Sequence, residues 1–477
     1  MTSIAVDSGQ VVVIRRDADG EALLDEPALL RFRQEVDTER LAALSLTDVV
    51  ELAPGRLDRW CGWYAGSGRR VLLTQFPEWY FGEPMVLVGE GETLARAYPV
   101  GPDRLLGVDG LVRSMVETDE GAPAVLLGEG ESAVLLGRDE RYREREVEFR
   151  VADDTFSATL ITPAAGGPHP AVVVVHGAAG GQRDFGRLFV EPVLAAGVAV
   201  LLYDKRGHGR STGTPEVTIF EQARAAAAGL DRIAAEPDID ADRLGLLGFS
   251  NGMWAVPMVA AQRADVAFVI GIGSPGVSMA ESEVHRRAKV LREADLEADT
   301  VEAAARAWRC IFAIAGTGRA DDASISVLSA ALARLRTAED LKRYEIPGYA
   351  QQNPMLSAVP PLAPVEELVQ MLSGDGDPEL GHDPTLDYAR VRCPVLLQWG
   401  AQDTSVPVDV SAQRIAAALP EPATARLLVY PDVEHMLNVV VPQVRGISAE
   451  EAMYGFHGFR FGPRTRDDLR EWLDALR

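Results

Sequence analysis

Three residues spaced far apart in the chain could together carry out acyl chemistry. Ser250 stands in Gly248-Phe249-Ser250-Asn251-Gly252, Asp403 in Gly400-Ala401-Gln402-Asp403, and His435 closes Tyr430-Pro431-Asp432-Val433-Glu434-His435. A serine hydroxyl is a weak nucleophile until a base removes its proton, and the base needs an acid that orients it. The negative charge that develops on an attacked carbonyl must then meet two backbone N–H donors. The residue after the nucleophile, Asn251, is expected to give one. The other is expected from the loop after an early strand, where Val172–Val175 runs into His176-Gly177-Ala178-Ala179-Gly180-Gly181, and Ala178 is the expected donor.

Each of these residues needs an element that holds it. Leu244–Phe249 is an apolar run of strand length, and helical spacing begins at Asn251. Ser250 therefore sits on a sharp strand-to-helix turn, at the positive end of the helix, with glycines where a Cβ would clash. Alone, the five-residue pattern is no more than any such turn carrying a serine would show. Its weight comes from the acid and the histidine downstream. Asp403 lies just past the run Pro394–Trp399, and His435 just past Ala425–Tyr430, so both fall on loops at the same sheet edge as Ser250. Only seven histidines occur in the chain, so one at this place by chance is improbable. Asp432 and Glu434 are rival acids, but they stand too near His435 in sequence to reach its Nδ1 from behind. Asp375 and Asp377 lie in a glycine-rich loop and are less well placed.

Around these loops, Ala171–Val175, Val198–Tyr203 and Ala267–Ile272 are further continuous apolar runs, too hydrophobic for a one-sided sheet. Helical stretches alternate with them at Phe185–Ala196, Phe220–Ala235, Asn251–Gln262, Val408–Leu419 and Thr465–Leu476. That alternation predicts a mostly parallel, doubly wound α/β sheet. The stretch from Ile272 to Pro394 is far longer than a crossover requires and holds helical patterns at Ala280–Ala294, Thr300–Ala315, Ser324–Arg336 and Pro364–Leu372. It is expected to be a helical lid, because ligands of such sheets bind outside the carboxyl ends of the strands.

The first third of the chain reads differently. Ala28–Leu44 has helical spacing. From about residue 55, short β-type runs recur between turn residues: Arg70–Thr74, Met85–Val88, Leu94–Tyr98, Leu111–Val116, Ala124–Leu127, Ala133–Leu136 and Glu146–Val151. They predict an antiparallel meander, sandwich or small barrel, with Trp60, Trp63, Tyr64, Trp79, Tyr80 and Phe81 in its core. The expected division is an N-terminal mainly β domain over 1–145, core over 146–277, lid over 278–388 and core again over 389–477.

With 477 residues the chain is too long for one ordinary core. Its net charge of −24 repels nucleic acid and anionic membranes, so neither is an expected partner. Three cysteines, Cys61, Cys310 and Cys393, form no disulfide framework and no zinc spacing; no metal or cofactor is expected. The sequence begins without a basic and apolar leader and contains no apolar run of membrane-spanning length, so a cytoplasmic location is expected. Only Lys205, Lys289 and Lys342 are lysine among the 47 basic residues, which reads as compositional bias.

Other residues near the motifs have more ordinary expectations. His176 should brace its loop, and His208 should border the pocket. Met253 and Trp254 should pack in the core or the pocket wall. Asp204 and Arg206 should pair locally. Phe459 and Phe461, with Tyr454, Phe456 and His457, could line the pocket or simply pack.

From about Glu146 to Arg477, two-thirds of the chain, the sequence resembles bacterial α/β-hydrolases of the serine-aminopeptidase and dienelactone-hydrolase-like kind. The residues that carry the resemblance are His176-Gly177, Tyr203-Asp204-Lys205-Arg206-Gly207-x-Gly209-x-Ser211, Gly248-x-Ser250-x-Gly252, Gly400-x-x-Asp403-x-x-Val406-Pro407 and His435. The combination is specific to the superfamily and not to one substrate. The resemblance implies an eight-stranded, mostly parallel sheet, a Ser250–His435–Asp403 triad and a β-rich region ahead of the hydrolase. One departure stands beside the serine: many members have glycine at the position of Asn251 or Met253, which suggests less space here.

The expected function is therefore that of a serine hydrolase, most simply a carboxylesterase, acting on a small-molecule acyl substrate through an acyl-enzyme. The same residues would serve peptide or thioester cleavage, or acyl transfer and cyclisation under a water-excluding lid. A binding protein with a vestigial site is the reading from another class. The N-terminal unit could complete the pocket, mediate a homodimer or stabilise the hydrolase.

Overall fold

The computed structural model describes residues 12–14, 50, 52, 55–76, 85–107, 110–178, 181–215, 218–344, 346, 357–420, 425–439 and 459–476. The expected helix at Ala28–Leu44 lies outside them, as do Trp79, Tyr80, Phe81, Tyr454, Phe456 and His457.

After a short strand, β1 (Val12–Ile14), come β2 (Gly62–Gly66), β3 (Arg69–Phe76), β4 (Met85–Glu90), β5 (Thr93–Gly101), β6 (Arg104–Gly107), β7 (Val112–Glu117), β8 (Pro123–Leu127) and β9 (Val134–Arg138). Each of β2 to β9 pairs antiparallel with the next, and β9 returns to β2. The meander is thus closed into a barrel, which leaves its strands no free edges. Alternate residues turn inward, as Arg113 and Met115 do on β7. Trp60, Tyr64, Val71, Val88, Leu105 and Leu136 fill its core.

The second sheet is built from β10 (Tyr142–Val151), β11 (Asp154–Pro163), β12 (His169–Val175), β13 (Ala199–Tyr203), β14 (Ile239–Phe249), β15 (Val266–Ile272), β16 (Val395–Gly400) and β17 (Ala425–Tyr430). Its order is β1-β17-β16-β15-β14-β12-β13-β11-β10. All pairs from β1 to β13 are parallel, and β10 and β11 form an antiparallel edge. Every residue of β12, β13 and β16 is buried. The strand alternation divides them between two cores. Val172, Val174, Leu247 and Ile270 face α1 (Arg187–Ala195), while Ala171, Val173, Leu246 and Val269 face α2 (Ile219–Ala234) and α3 (Gly252–Gln262).

Between β15 and β16 run α4 (Met279–Glu293), α5 (Ala298–Thr317), α6 (Asp322–Arg336), α7 (Val365–Leu372) and α8 (Thr385–Tyr388). Their starts and stops are chemical. Ser278 and Glu281 form a capping box at α4, and Gly318, at φ 67°, ends α5 in the left-handed conformation. Leu291, Trp308, Leu328 and Leu332 give this insertion a core of its own. The chain ends with α9 (Val408–Ala418), β18 (Phe459–Arg460) and α10 (Thr465–Ala475). No helix of the described residues is long and apolar enough to cross a membrane.

Three expectations need correction. Among the described residues the sheet has nine strands rather than eight, because β1 adds to the β17 edge. For the same reason the boundary at residue 145 does not separate the sheets: β1 and the start of β10 belong to the α/β sheet, whereas β18 pairs with β5 of the barrel. Trp63 does not sit in the barrel core with Trp60 and Tyr64. It faces the other way, into the cluster with Phe189 and Val193 of α1, under the Arg187 guanidinium.

Candidate active site

The turn between β14 and α3 gives Ser250 a φ of 50°, a conformation a residue with a Cβ adopts at a cost. Ser250 N–H donates to Ile272 O at 2.9 Å, which ties the turn to the end of β15. The flanking glycines have separate reasons. A Cβ at Gly252 would come within 2.5 Å of Val175 O, a main-chain atom that cannot yield. A Cβ at Gly248 would meet the Met253 Sδ at 2.4 Å, a side chain rather than backbone.

Two loops bring the other groups to this turn. Nε2 of His435 lies 2.8 Å from Ser250 Oγ, and its Nδ1 lies 2.7 Å from Asp403 Oδ2. A carboxylate can only accept, so Nδ1 carries the proton and Nε2 is free to accept from the serine hydroxyl. The other Asp403 oxygen, Oδ1, accepts from Ser405 N at 2.7 Å and Val406 N at 2.8 Å, so the carboxylate is held at both oxygens. Burial disfavours the imidazolium of His435. The charge and hydrogen bond of Asp403 outweigh it and raise the pKa above the ordinary histidine value.

The rival acids do not reach the ring nitrogen. Glu434 Oε2 accepts the backbone N–H of His435 at 2.9 Å, and its carboxyl is pushed up to about 7 by burial and then by repulsion from Asp403. Asp377 belongs to the loop that packs on the end of α5, where its N–H donates to Ala315 O.

Asn251 stands at the N-cap of α3, where backbone N–H groups have no helical partner. Its side-chain oxygen accepts from Gln222 of α2 at 2.6 Å. The loop carrying Ala178 lies against the same turn: a Cβ at Gly177 would strike the Phe249 ring, and Gly252 packs on Val175 and His176 carbonyls. A carbonyl bound over Ser250 would have a nucleophile, a base with a fixed tautomer and two flanking peptide loops.

The other residues singled out near the motifs take the following places. His176 is buried, its Nε2 2.6 Å from Tyr203 O, and burial followed by the nearby Lys205 ammonium pushes its pKa down to about 3; it braces its loop in the neutral form. His208 packs against Gly181, with Nδ1 2.9 Å from Arg206 O. Met253 is fully buried and turns beneath the turn toward Gly248 and Gly271, so it fills the core rather than the space beside Ser250. Trp254 packs with Ile219 and Met258, and its Nε1–H donates to Val277 O at 3.0 Å. Asp204 and Arg206 are not paired with each other. Asp204 takes Arg183 at 2.8 Å, while Arg206 takes Asp154 at 2.6 Å and Glu221 at 2.9 Å. Phe459 and Phe461 pack together in the cluster with Phe189.

Sequence reasoning missed several groups around the site. Gln222 on Asn251 had no signal in the chain. Lys289 of α4 donates to the carbonyls of Gln402 at 2.8 Å and Asp403 at 3.2 Å, and Ser282 Oγ donates to Ser405 O at 2.9 Å. The rarity of lysine could have marked Lys289. Among the described residues no three His, Cys, Asp or Glu side chains are grouped to hold a metal ion.

The model of the X-Pro dipeptidyl-peptidase (S15) family matches residues 153–435. Two uncharacterised proteins from two strains of Mycobacterium tuberculosis are each 34% identical over 196 residues, which is 40% of this chain and 66% of theirs. The chain thus spans just under two-thirds of the length of these curated relatives. Among solved structures, an esterase from Pyrococcus furiosus is 15% identical over 71% of this chain and 92% of its own, with a TM-score of 0.41. A proline iminopeptidase from Mycobacterium smegmatis is 17% identical over 69% and 99%, with a TM-score of 0.40. At such values neither likeness speaks to the substrate.

Proposed function

The chain belongs to the X-Pro dipeptidyl-peptidase (S15) family of α/β-hydrolases, and from that premise we propose that it is a serine hydrolase that cleaves a carboxylic ester or similar acyl bond. The observation that carries this reading is the continuous relay from Ser250 Oγ through His435 to Asp403, at 2.8 Å and 2.7 Å. Ser250 Oγ bonds to the substrate carbonyl carbon as His435 Nε2 takes its proton. Asp403 holds the ring and stabilises the imidazolium. The oxyanion rests on the Asn251 and Ala178 N–H groups. The carbon–leaving-group bond then breaks, His435 returns its proton to the departing alkoxide, and an acyl-enzyme remains. Water, deprotonated by His435, repeats the sequence and frees the acid.

In this reading the α4–α8 insertion is a lid. Its contacts through Ser282 and Lys289 with the loop of Asp403 support that role. A second reading, cleavage of a peptide bond after proline, is supported by the family match. The relay serves either bond.

Turnover of 4-nitrophenyl acetate and of Ala-Pro-4-nitroanilide by the full chain separates them. The ester reading expects the first to be hydrolysed at a higher kcat/KM, with activity lost in Ser250→Ala. Faster anilide cleavage would install the peptidase reading. Acyl products with an added alcohol or amine would install acyl transfer. A folded protein inert to both substrates and to fluorophosphonates would leave a binding protein.

A further inference from the structure

Lys205 is one of three lysines in the chain, and it is buried directly beneath the loop that carries Ala178. Its Nζ donates to Gly177 O at 2.6 Å. Its own backbone N–H donates to Gly181 O at 2.7 Å, on the far side of the same loop. Gly177 O and the Ala178 N–H belong to one peptide unit. That unit is trans and planar, so its carbonyl and its N–H point in opposite directions. Pinning the carbonyl fixes the direction of the N–H. A cation on the carbonyl oxygen also withdraws electron density through the amide and makes the N–H a stronger donor.

Among the described residues no carboxylate forms an ion pair with Lys205, since the neighbouring Asp204 is taken by Arg183. An unpaired buried ammonium is costly. Burial pushes its pKa down to about 8, which leaves it mostly charged at neutral pH. A residue that only filled this space could be apolar.

We propose that Lys205 is a positioning residue for catalysis: through the Gly177–Ala178 peptide it aims and polarises the oxyanion-binding N–H of Ala178. The inference rests on the serine-hydrolase reading and adds to it a residue that never touches substrate.

The test is Lys205→Met in the full chain, with 4-nitrophenyl acetate as substrate and a trifluoromethyl ketone as the tetrahedral mimic. Loss of one oxyanion donor costs about a hundred- to a thousand-fold in kcat; weakening one through its carbonyl should cost about ten- to a hundred-fold. KM should change by less than about threefold, because the ground-state carbonyl makes little use of the donor. Affinity for the ketone should fall by the same factor as kcat. A merely structural lysine would lower thermal stability without this matched loss. Lys205→Gln, which keeps a polar donor in the cavity without the charge, is read by the same comparison should Lys205→Met not fold. Unchanged kcat and ketone affinity in the folded variant would overturn the inference, as would a loss confined to KM. If Ser250→Ala abolishes turnover while Lys205→Met keeps it, only this inference fails. If Ser250→Ala keeps turnover, the serine-hydrolase reading fails first.

Discussion

The carboxylate of Glu434 accepts the backbone N–H of His435 at 2.9 Å, so the acid next to the histidine in sequence holds its main chain and leaves its ring to Asp403. Two buried acids therefore flank one histidine and do different work. Asp403→Asn should leave the fold intact and lower kcat about ten-thousand-fold, because an amide favours the wrong tautomer. Glu434→Gln keeps an acceptor for the same N–H and should cost less than about tenfold. Steady-state kinetics on both, with circular dichroism as the fold control, checks the division. Equal losses would contradict it.

The same pair shapes the pH profile. His435 must be neutral to act as a base, and Asp403 holds its pKa above the ordinary value against the opposing effect of burial. The acid limb of kcat/KM should thus have its midpoint above about 6.5. The Glu434 carboxylate, itself pushed up to about 7, adds to the rise at His435, so the limb belongs to coupled groups. Glu434→Gln removes a negative neighbour, weakens proton binding to the imidazole and should move the limb to lower pH. A limb that stays in place or rises would contradict this account.

The two glycines of the serine turn should respond differently to alanine. At Gly252 the new Cβ meets Val175 O at 2.5 Å, and the cost should be about 3 kcal/mol or more. At Gly248 it meets Met253 Sδ at 2.4 Å, a side chain that can repack, and about 1–3 kcal/mol is expected. Adding Met253→Ala to Gly248→Ala should recover part of that loss, whereas Met253→Ala alone destabilises. Urea unfolding of the single and double variants measures the coupling; strict additivity would show that the contact is not the cause.

Lys289 joins the insertion to the acid loop through the carbonyls of Gln402 and Asp403. Lys289→Met should lower kcat/KM about tenfold, the worth of roughly one net hydrogen bond to a charged group. Thermolysin should then cut faster within 278–388, while the melting temperature changes little. Unchanged cleavage would separate these contacts from the docking of the insertion.

Much of the α/β sheet was legible because its strands are covered on both faces and read as continuous apolar runs: Val172–Val175 and Leu427–Tyr430 could hardly be anything else. Strand ends then placed Ser250, Asp403 and His435 on one edge. Gly62–Gly66 and Arg104–Gly107 escaped because they are short and contain glycine, and the return of β9 to β2 is a long-range pairing that local pattern does not encode. Side-chain partners were least legible. Asp204 and Arg206 are near neighbours in sequence, yet the loop turns them apart and Arg183 arrives from another segment. Met253 stands beside the serine in sequence, but its helical position points it under the turn. Lys205 reads in the sequence only as compositional bias and as one member of the Tyr203–Ser211 motif, since only the fold sets its ammonium on Gly177 O.

The most direct measurement of the central claim is peptide mapping by mass spectrometry after fluorophosphonate treatment of the full chain. One adduct is expected, on Ser250, absent in Ser250→Ala and formed far more slowly in His435→Ala. An adduct on another residue, or none on a folded protein, would contradict it.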